Sequence, residues 1–167
     1  MKLQKLISKL EKHHKKKLDL SLGRTFNLLK KLGDPQDKLK NVITVVGTNA
    51  KASMCYSLKS ILNQAGYKTN LYTSPHLLSY TERYVLDDKE INEEDLIELL
   101  TGVEKTLGDD NATLFEILTC AFLKYAENFK DNINIIEAGL FHQFDSTNVF
   151  KENLMTCLLY TSPSPRD

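Results

Sequence analysis

The stretch that most constrains the fold is VITVVGTNAKASMCYSLKSILNQAGYKTNLYT, residues 42–73. Val42 to Val46 is a short β-branched run of the kind that fills a buried parallel strand. Gly47 interrupts it, and a helical segment follows to about Ala65, where Gly66 supplies the stop. Lys68 to Thr73 reads as the next strand. Strand, helix and strand in roughly thirty residues form a βαβ unit. Its crossover requires a parallel sheet covered by helices. The fold class is therefore α/β, a mostly parallel sheet with helices on both faces.

The flanking segments fit that class. Leu3, Leu6, Ile7 and Leu10 recur at i, i+3, i+4, i+7, the apolar stripe of an amphipathic helix. A second helix is predicted from Ser21, as N-cap, to Leu32, with Leu22, Phe26, Leu29 and Leu32 on its apolar face and Gly33 as its stop. Asp34-Pro35 makes a turn. SPHLLSYTER (74–83) reads as a loop, YVLDDKEI (84–91) as a short hairpin around Asp87-Asp88, and Asn92 as the cap of an acidic helix to about Leu107. A further helix fits Thr113 to Phe129, with Leu114, Ile117, Leu118, Ala121, Phe122 and Tyr125 on one face. INIIEAGL (133–140) is a third strong strand that ends on a carboxylate, Glu137. No internal repeat or separating linker is present.

At 167 residues the chain is long enough for one domain with a real core, and 41% hydrophobic with 26% charged residues excludes a disordered chain. Cys55, Cys120 and Cys157 share no C-x-x-C spacing and support neither a disulfide framework nor a zinc site. No apolar run approaches the ~18 residues that span a bilayer, and the lysine-rich start lacks the apolar core of a secretory signal. A cytoplasmic location is expected. Residues 1–40 carry twelve Lys/Arg against four Asp/Glu, and residues 87–110 carry ten acids against two lysines. Because the basic segment also carries a helical apolar stripe, its lysines read as a solvated face; no nucleic-acid or membrane partner is expected.

In an open parallel sheet, ligands collect beyond the carboxyl ends of the strands. That rule gathers the Gly47 to Ser53 loop, the Ser74-Pro75-His76 loop, and Glu137 with the GLFHQFDSTN segment after it. The helix start beyond Gly47 offers unpaired N–H groups to a phosphate, Lys51 a charge for the outer phosphates, and Ser53 a hydroxyl for magnesium. The alternative is an ordinary βα turn, since G-x-x-A-K-A-S departs from the usual spacing of glycines before the lysine. Ala52 falls in a helical turn that suits alanine. Ala50 either sits at negative φ, with little lost, or at left-handed φ, at a cost of roughly 1–2 kcal/mol and with its methyl near the phosphate. Glu137 reads as a metal-shell carboxylate or as a surface acid with a cation nearby. Ser74 is an oxygen donor or a turn residue before Pro75. His76 and His142 are ligands, bases or neither.

Taken together, four stretches resemble the folylpolyglutamate synthase and dihydrofolate synthase family of the Mur ligase superfamily. LGDPQDKLKNVITVVGTNAKAS resembles its L-G-[ND]-P-Q lead-in, strand and G-T-N-G-K-G-S phosphate loop. GYKTNLYTSPHL with TER resembles its Y-T-S-P-H-L…E-R loop, TLFEILTCAF its T-x-F-E-x-L-T-x-A-A-F helix, and IIEAGLFHQFDSTNV its E-V-G-L-G-G-R-L-D-A-T-N-V segment. The resemblance spans Leu18 to Asn153. It implies a P-loop-containing, Mur-ligase-like ATPase domain, incomplete at its C-terminus, within an ATP- and Mg2+-dependent ligase. Such an enzyme phosphorylates a carboxylate of dihydropteroate or a folate, and the amine of L-glutamate attacks the acyl phosphate. By position, Gly47, Thr48, Asn49, Ala50, Lys51, Ala52 and Ser53 would hold ATP; Lys51 and Glu137 would be catalytic; Ser53, Ser74 and Glu137 would serve metal; Ser74, Pro75, His76 and Arg83 would seat the substrate. Asp145, Thr147 and Asn148 match D-A-T-N.

Departures are Ala50, Ala52 and Phe141 to Phe144 in place of G-G-R-L. The family's downstream G-L-D-H histidine and glutamate-binding domain have no counterpart, so these 167 residues alone are expected to be inactive, and the full-length protein a monomer. Residues 1–157 are read as the ATP-binding part. Residues 158–167 read as a non-native tail, because LLYTSPSPRD resembles translated adapter sequence. Lost later strands would leave an apolar sheet edge.

Overall fold

The computed structural model of the chain describes residues 2–13, 21–139 and 142–159, without the side chains of His13 and His142. Six strands make one sheet: β1 (Val42–Val46), β2 (Thr69–Tyr72), β3 (Tyr84–Leu86), β4 (Lys89–Glu90), β5 (Ile133–Glu137) and β6 (Met155–Leu158). Their order is β4-β3-β2-β5-β1-β6. The four strands β2, β5, β1 and β6 run parallel, and the β3–β4 hairpin extends the β2 edge antiparallel. Its turn residues Asp87 and Asp88 have φ of 47° and 67°, the left-handed pair that a tight hairpin turn needs and that aspartate tolerates.

Alternation along the strands divides the core in two. Val42, Tyr72, Tyr84, Leu86 and Ile136 face a cluster shared with α1 (Lys2–His13), α2 (Gly23–Lys31), α4 (Glu93–Leu107) and α5 (Leu114–Ala126). Ile43, Val45, Leu71, Ile133 and Ile135 point the other way, onto Met54, Cys55, Leu58 and Leu62 of α3 (Lys51–Gln64). Helices thus cover both faces, as the βαβ reading requires.

The two opposite charge patches meet each other. α1 packs on α4 through Leu3, Ile7 and Leu10, all buried, with Lys9 Nζ 3.0 Å from Glu104 Oε2 and the Leu3 N–H donating to Glu93 Oε1 at 3.3 Å. Burial of the apolar stripe holds the helix, and exposed ion pairs add at most about 1 kcal/mol each. α5 is capped by Thr113 and Glu116 in a reciprocal box. Glu116, itself buried, also accepts from Arg24 Nε at 3.1 and 3.2 Å.

Two expectations need correction. α2 begins at Gly23 with Leu22 as N-cap and no side-chain cap, so Ser21 does not play that part. Phe26 is 44% exposed; Leu29 is buried as read, together with Thr25 and Leu28. β6 takes in Leu158, which pairs with Val46, and the Leu159 N–H donates to Val46 O. Residues 160–167 lie outside the described residues. Among the described residues β6 is the terminal strand on its side of the sheet, and Leu158 in it and Leu154 just before it are each 63% exposed.

Candidate functional site

The parallel strands β2, β5 and β1 are neighbours, so the segments leaving their carboxyl ends lie along one rim. The connection after β1 leads towards β2, whereas the connection after β5 leads the opposite way to β6. Between β1 and β5 this makes a switch point, the position at which ligands bind in open α/β sheets. The amino ends of β2 and β5 are closed by amides instead: Asn70 Nδ2 donates to Asn134 Oδ1 at 2.8 Å, and Asn134 Nδ2 donates to Lys40 O.

On the β1 side, Gly47 has φ of 154°, a conformation confined essentially to glycine. Thr48, Asn49 and Ala50 follow, exposed, and α3 starts at Lys51. Ala50 is the N-cap at φ 62°, ψ 11°. Of the two conformations open to it, the chain adopts the left-handed one, and the loop carries about 1–2 kcal/mol of strain. No side chain caps α3, which leaves its first N–H groups for an anion. Ala52 and Ser53 lie in the first turn. Lys51 Nζ donates to Gly47 O at 3.0 Å and so closes the loop on itself.

Glu137 ends β5 and is 3% exposed, so it is no surface acid. Its Oε2 accepts the Ser74 N–H at 2.9 Å. Burial raises its carboxyl above the ordinary carboxylate range, while the Ser74 N–H and the charges of Lys51 and Arg83 pull it down. Among the described residues no cation lies within ion-pair distance of it.

The segment after β2 is folded tightly. Ser74-Pro75 is a cis peptide, and Pro75 is exposed. Glu82 accepts from the Leu77, Leu78 and Ser79 N–H groups at 2.8, 2.7 and 2.6 Å, and Ser79 with Glu82 caps a 3-10 turn over Tyr80–Arg83. Arg83, 9% exposed, donates from Nε to His76 Nδ1 at 2.9 Å. Its guanidinium lies 5.1 Å from the Tyr80 ring centre, on which the His76 ring also rests at 4.2 Å. Burial and the Arg83 charge lower the His76 basicity. Because Arg83 Nε donates to it, His76 Nδ1 is the accepting nitrogen of the ring.

Beyond β5, Asp145 Oδ1 accepts from the Thr147 N–H and hydroxyl at 2.9 and 2.6 Å, and the Asn148 N–H donates to Asp145 O. Leu140, Phe141 and the His142 side chain lie outside the described residues. Two groups in the site went unassigned in the sequence. Glu82 had a signal, the S-x-x-E capping spacing from Ser79. Cys55, buried beneath the loop, had none; burial and the Glu137 charge push its thiol far up.

No family model matches the sequence. The dihydrofolate synthase/folylpolyglutamate synthase of Escherichia coli is 37% identical over 143 residues, which is 86% of this chain and 34% of that protein. The solved structure of E. coli FolC in complex with DHPP and ADP superposes with a TM-score of 0.86 at 35% identity, covering 93% of this chain and 37% of that one. Over most of its length the chain is thus similar to dihydrofolate synthase/folylpolyglutamate synthases. A second such enzyme, the bifunctional one of Yersinia pestis complexed with AMPPNP and Mn ion, gives a TM-score of 0.85 at 31% identity, over 93% of this chain and 38% of that one. The chain spans about a third of the length of the family members it matches. Within the family pattern stated above, Ala50 stands where glycine would take φ of 62° without strain.

Proposed function

We propose that the chain forms the phosphate- and metal-binding part of an ATP- and Mg2+-dependent ligase that joins L-glutamate to dihydropteroate or a folate through an acyl phosphate. The observation that carries this reading is Glu137: a buried carboxylate, bonded to the Ser74 N–H and without an ion-pair partner among the described residues, on the rim it shares with the Gly47 loop. A divalent cation would complete it. Magnesium is commonly held by one or two carboxylates together with phosphate oxygens and water. One carboxylate with the Ser53 and Ser74 hydroxyls fits that donor set, and among the described residues no three His, Cys, Asp or Glu side chains gather as a zinc site would need. The relatives solved with ADP and with AMPPNP and Mn ion support the same chemistry.

In this reading the N–H groups from Thr48 to Ser53 and the Lys51 ammonium hold the ATP phosphates, and Lys51 swings from Gly47 O to reach them. The metal neutralises charge as the terminal phosphoryl group passes to the substrate carboxylate. Ser74, Pro75, His76 and Arg83 seat the substrate. The complete protein acts as a cytoplasmic monomer on small molecules, without nucleic acid; none of the described helices is long and apolar enough to cross a membrane. The 167 residues by themselves give no turnover.

Isothermal calorimetry with Mg-ATP tests the site. Binding that weakens at least about ten-fold in Lys51→Ala and on chelation of Mg2+ supports it. The left-handed Ala50 favours a second reading, a nucleotide-binding relic without catalysis. An intact protein that binds Mg-ATP but makes no glutamate adduct of dihydropteroate or folate would establish that one. Preference for a muramyl nucleotide over dihydropteroate in competition would instead point to another amino-acid ligase of the superfamily.

A further inference from the structure

Arg83 is a buried residue, 9% exposed, and among the described residues it has no carboxylate within ion-pair distance. A buried cation without a counter-ion is costly unless its hydrogen bonds are arranged for it and an anion arrives. Arg83 has only half of that arrangement. Its Nε donates to His76 Nδ1 at 2.9 Å, and its Cζ lies over the Tyr80 ring at 5.1 Å from the centre, a ring that His76 also contacts. The acceptor fixes the Nε edge of the fork, and the ring backs it. A guanidinium offers five N–H donors in a rigid geometry, and one is used here by the imidazole, which leaves the two terminal nitrogens for a planar acceptor such as a carboxylate. Glu82, the carboxylate next to it in sequence, is occupied by three backbone N–H groups.

We propose that His76 is a positioning residue: as the Nε2–H tautomer it holds the Arg83 guanidinium by its Nε edge and so presents the terminal nitrogens to the carboxylate of the substrate. The assignment of a carboxylate substrate rests on the function proposed above; the His76–Arg83 clamp does not. In this arrangement His76 neither touches the reacting atoms nor moves a proton.

Long-range 15N–1H correlation on the protein tests the clamp without any ligand. His76 is expected as the Nε2–H tautomer, with an Nδ1 signal that shifts in Arg83→Gln; an Nδ1–H tautomer, or a signal indifferent to Arg83→Gln, would overturn the proposal. Dihydropteroate binding, measured with Mg-ATP present, then tests its consequence. His76→Ala is expected to weaken binding about ten-fold. His76→Asn, whose Oδ1 can accept from Arg83 in place of Nδ1, is expected to restore it to within about three-fold. The double variant with Arg83→Ala should bind no worse than Arg83→Ala alone. Equal loss in His76→Ala and His76→Asn, or additive losses in the double variant, would refute positioning. A clamp present by NMR in a protein that binds no dihydropteroate would uphold the clamp and sink the substrate reading instead.

Discussion

Glu137, the last residue of β5, and Ser74, two residues beyond β2, are joined by a 2.9 Å hydrogen bond from the Ser74 N–H to Oε2. The bond crosses the seam between adjacent parallel strands at their carboxyl ends and ties the loop after β2 to the strand that carries the carboxylate. Burial raises the Glu137 carboxyl, so in the fold its ionised form is disfavoured. Glu137→Gln keeps an acceptor for Ser74 and removes the buried charge. Chemical denaturation at neutral pH is expected to show a gain of about 1 kcal/mol, the usual direction when a functional strain is relieved. The same variant should lose the Mg2+ dependence of ATP binding. A destabilised Glu137→Gln would mean that the carboxylate is held by partners stronger than the Ser74 N–H.

Ala50 gives a second expectation. At φ 62° a Cβ clashes with its own backbone, and glycine removes the clash. Ala50→Gly should therefore raise the denaturation midpoint by an amount equivalent to about 1 kcal/mol, despite the larger entropy of glycine in the unfolded chain. Mg-ATP affinity should rise or stay level, since the N–H donor is retained. Ala50→Val should lose stability, because a β-branched side chain tolerates left-handed φ less well still.

The loop that presents the two leucines Leu77 and Leu78 is held by one carboxylate, and pH should release it. The Leu77 N–H, then those of Ser79 and Leu78, keep the Glu82 pKa below its ordinary value of 4.5. A depressed carboxylate contributes its stabilisation fully above the ordinary value and loses it as pH falls through the lowered one. The protection factors of the Leu77, Leu78 and Ser79 amides, which are corrected for intrinsic exchange, should thus be high at pH 6 and fall only at pH below the ordinary carboxyl value of 4.5. Glu82→Gln should leave these amides poorly protected throughout. Equal protection in wild type and Glu82→Gln would show that the loop is held by packing alone.

What the sequence made legible was what is local or periodic. The β-branched run Val42–Val46, the Asn92 cap and the Asp87-Asp88 turn each carry their signal within a few residues, and each forms as read. Ser21 misled because a favourable cap residue is effective only at the position where φ and ψ leave the helix, and that position is Leu22. Phe26 misled because helical spacing defines a stripe without saying which side of it meets α5, and Thr25 occupies that side. The site was legible as a set of strand ends gathered by topology. Its pairings were not: the Ser74 N–H on Glu137 and the His76 Nδ1 on Arg83 depend on which strands are neighbours and on how the loop folds back. Ala50 remained open because its φ is set by the geometry between β1 and α3, and no residue type encodes that.

Gly139 supplies the sharpest steric expectation. It follows Glu137 by two residues at the exit of β5, where a Cβ would meet Asp145 Oδ2 well inside contact distance and Phe115 Cζ at 3.1 Å. Asp145 cannot swing aside cheaply, because its other oxygen accepts two hydrogen bonds from Thr147. Phe115 sits in the first turn of α5, whose start the capping box of Thr113 and Glu116 holds in place. Gly139→Ala must therefore either break the Asp145–Thr147 turn or shift the strand exit, at a cost of roughly 1–3 kcal/mol. Denaturant unfolding measures that cost. If the turn yields, Asp145→Asn should recover little, since the amide occupies the same space; if the strand exit yields, Mg-ATP affinity falls along with stability because Glu137 moves. A Gly139→Ala variant as stable as wild type would show that the glycine serves no steric purpose, and that the turn over residues 145–148 is looser than its hydrogen bonds imply.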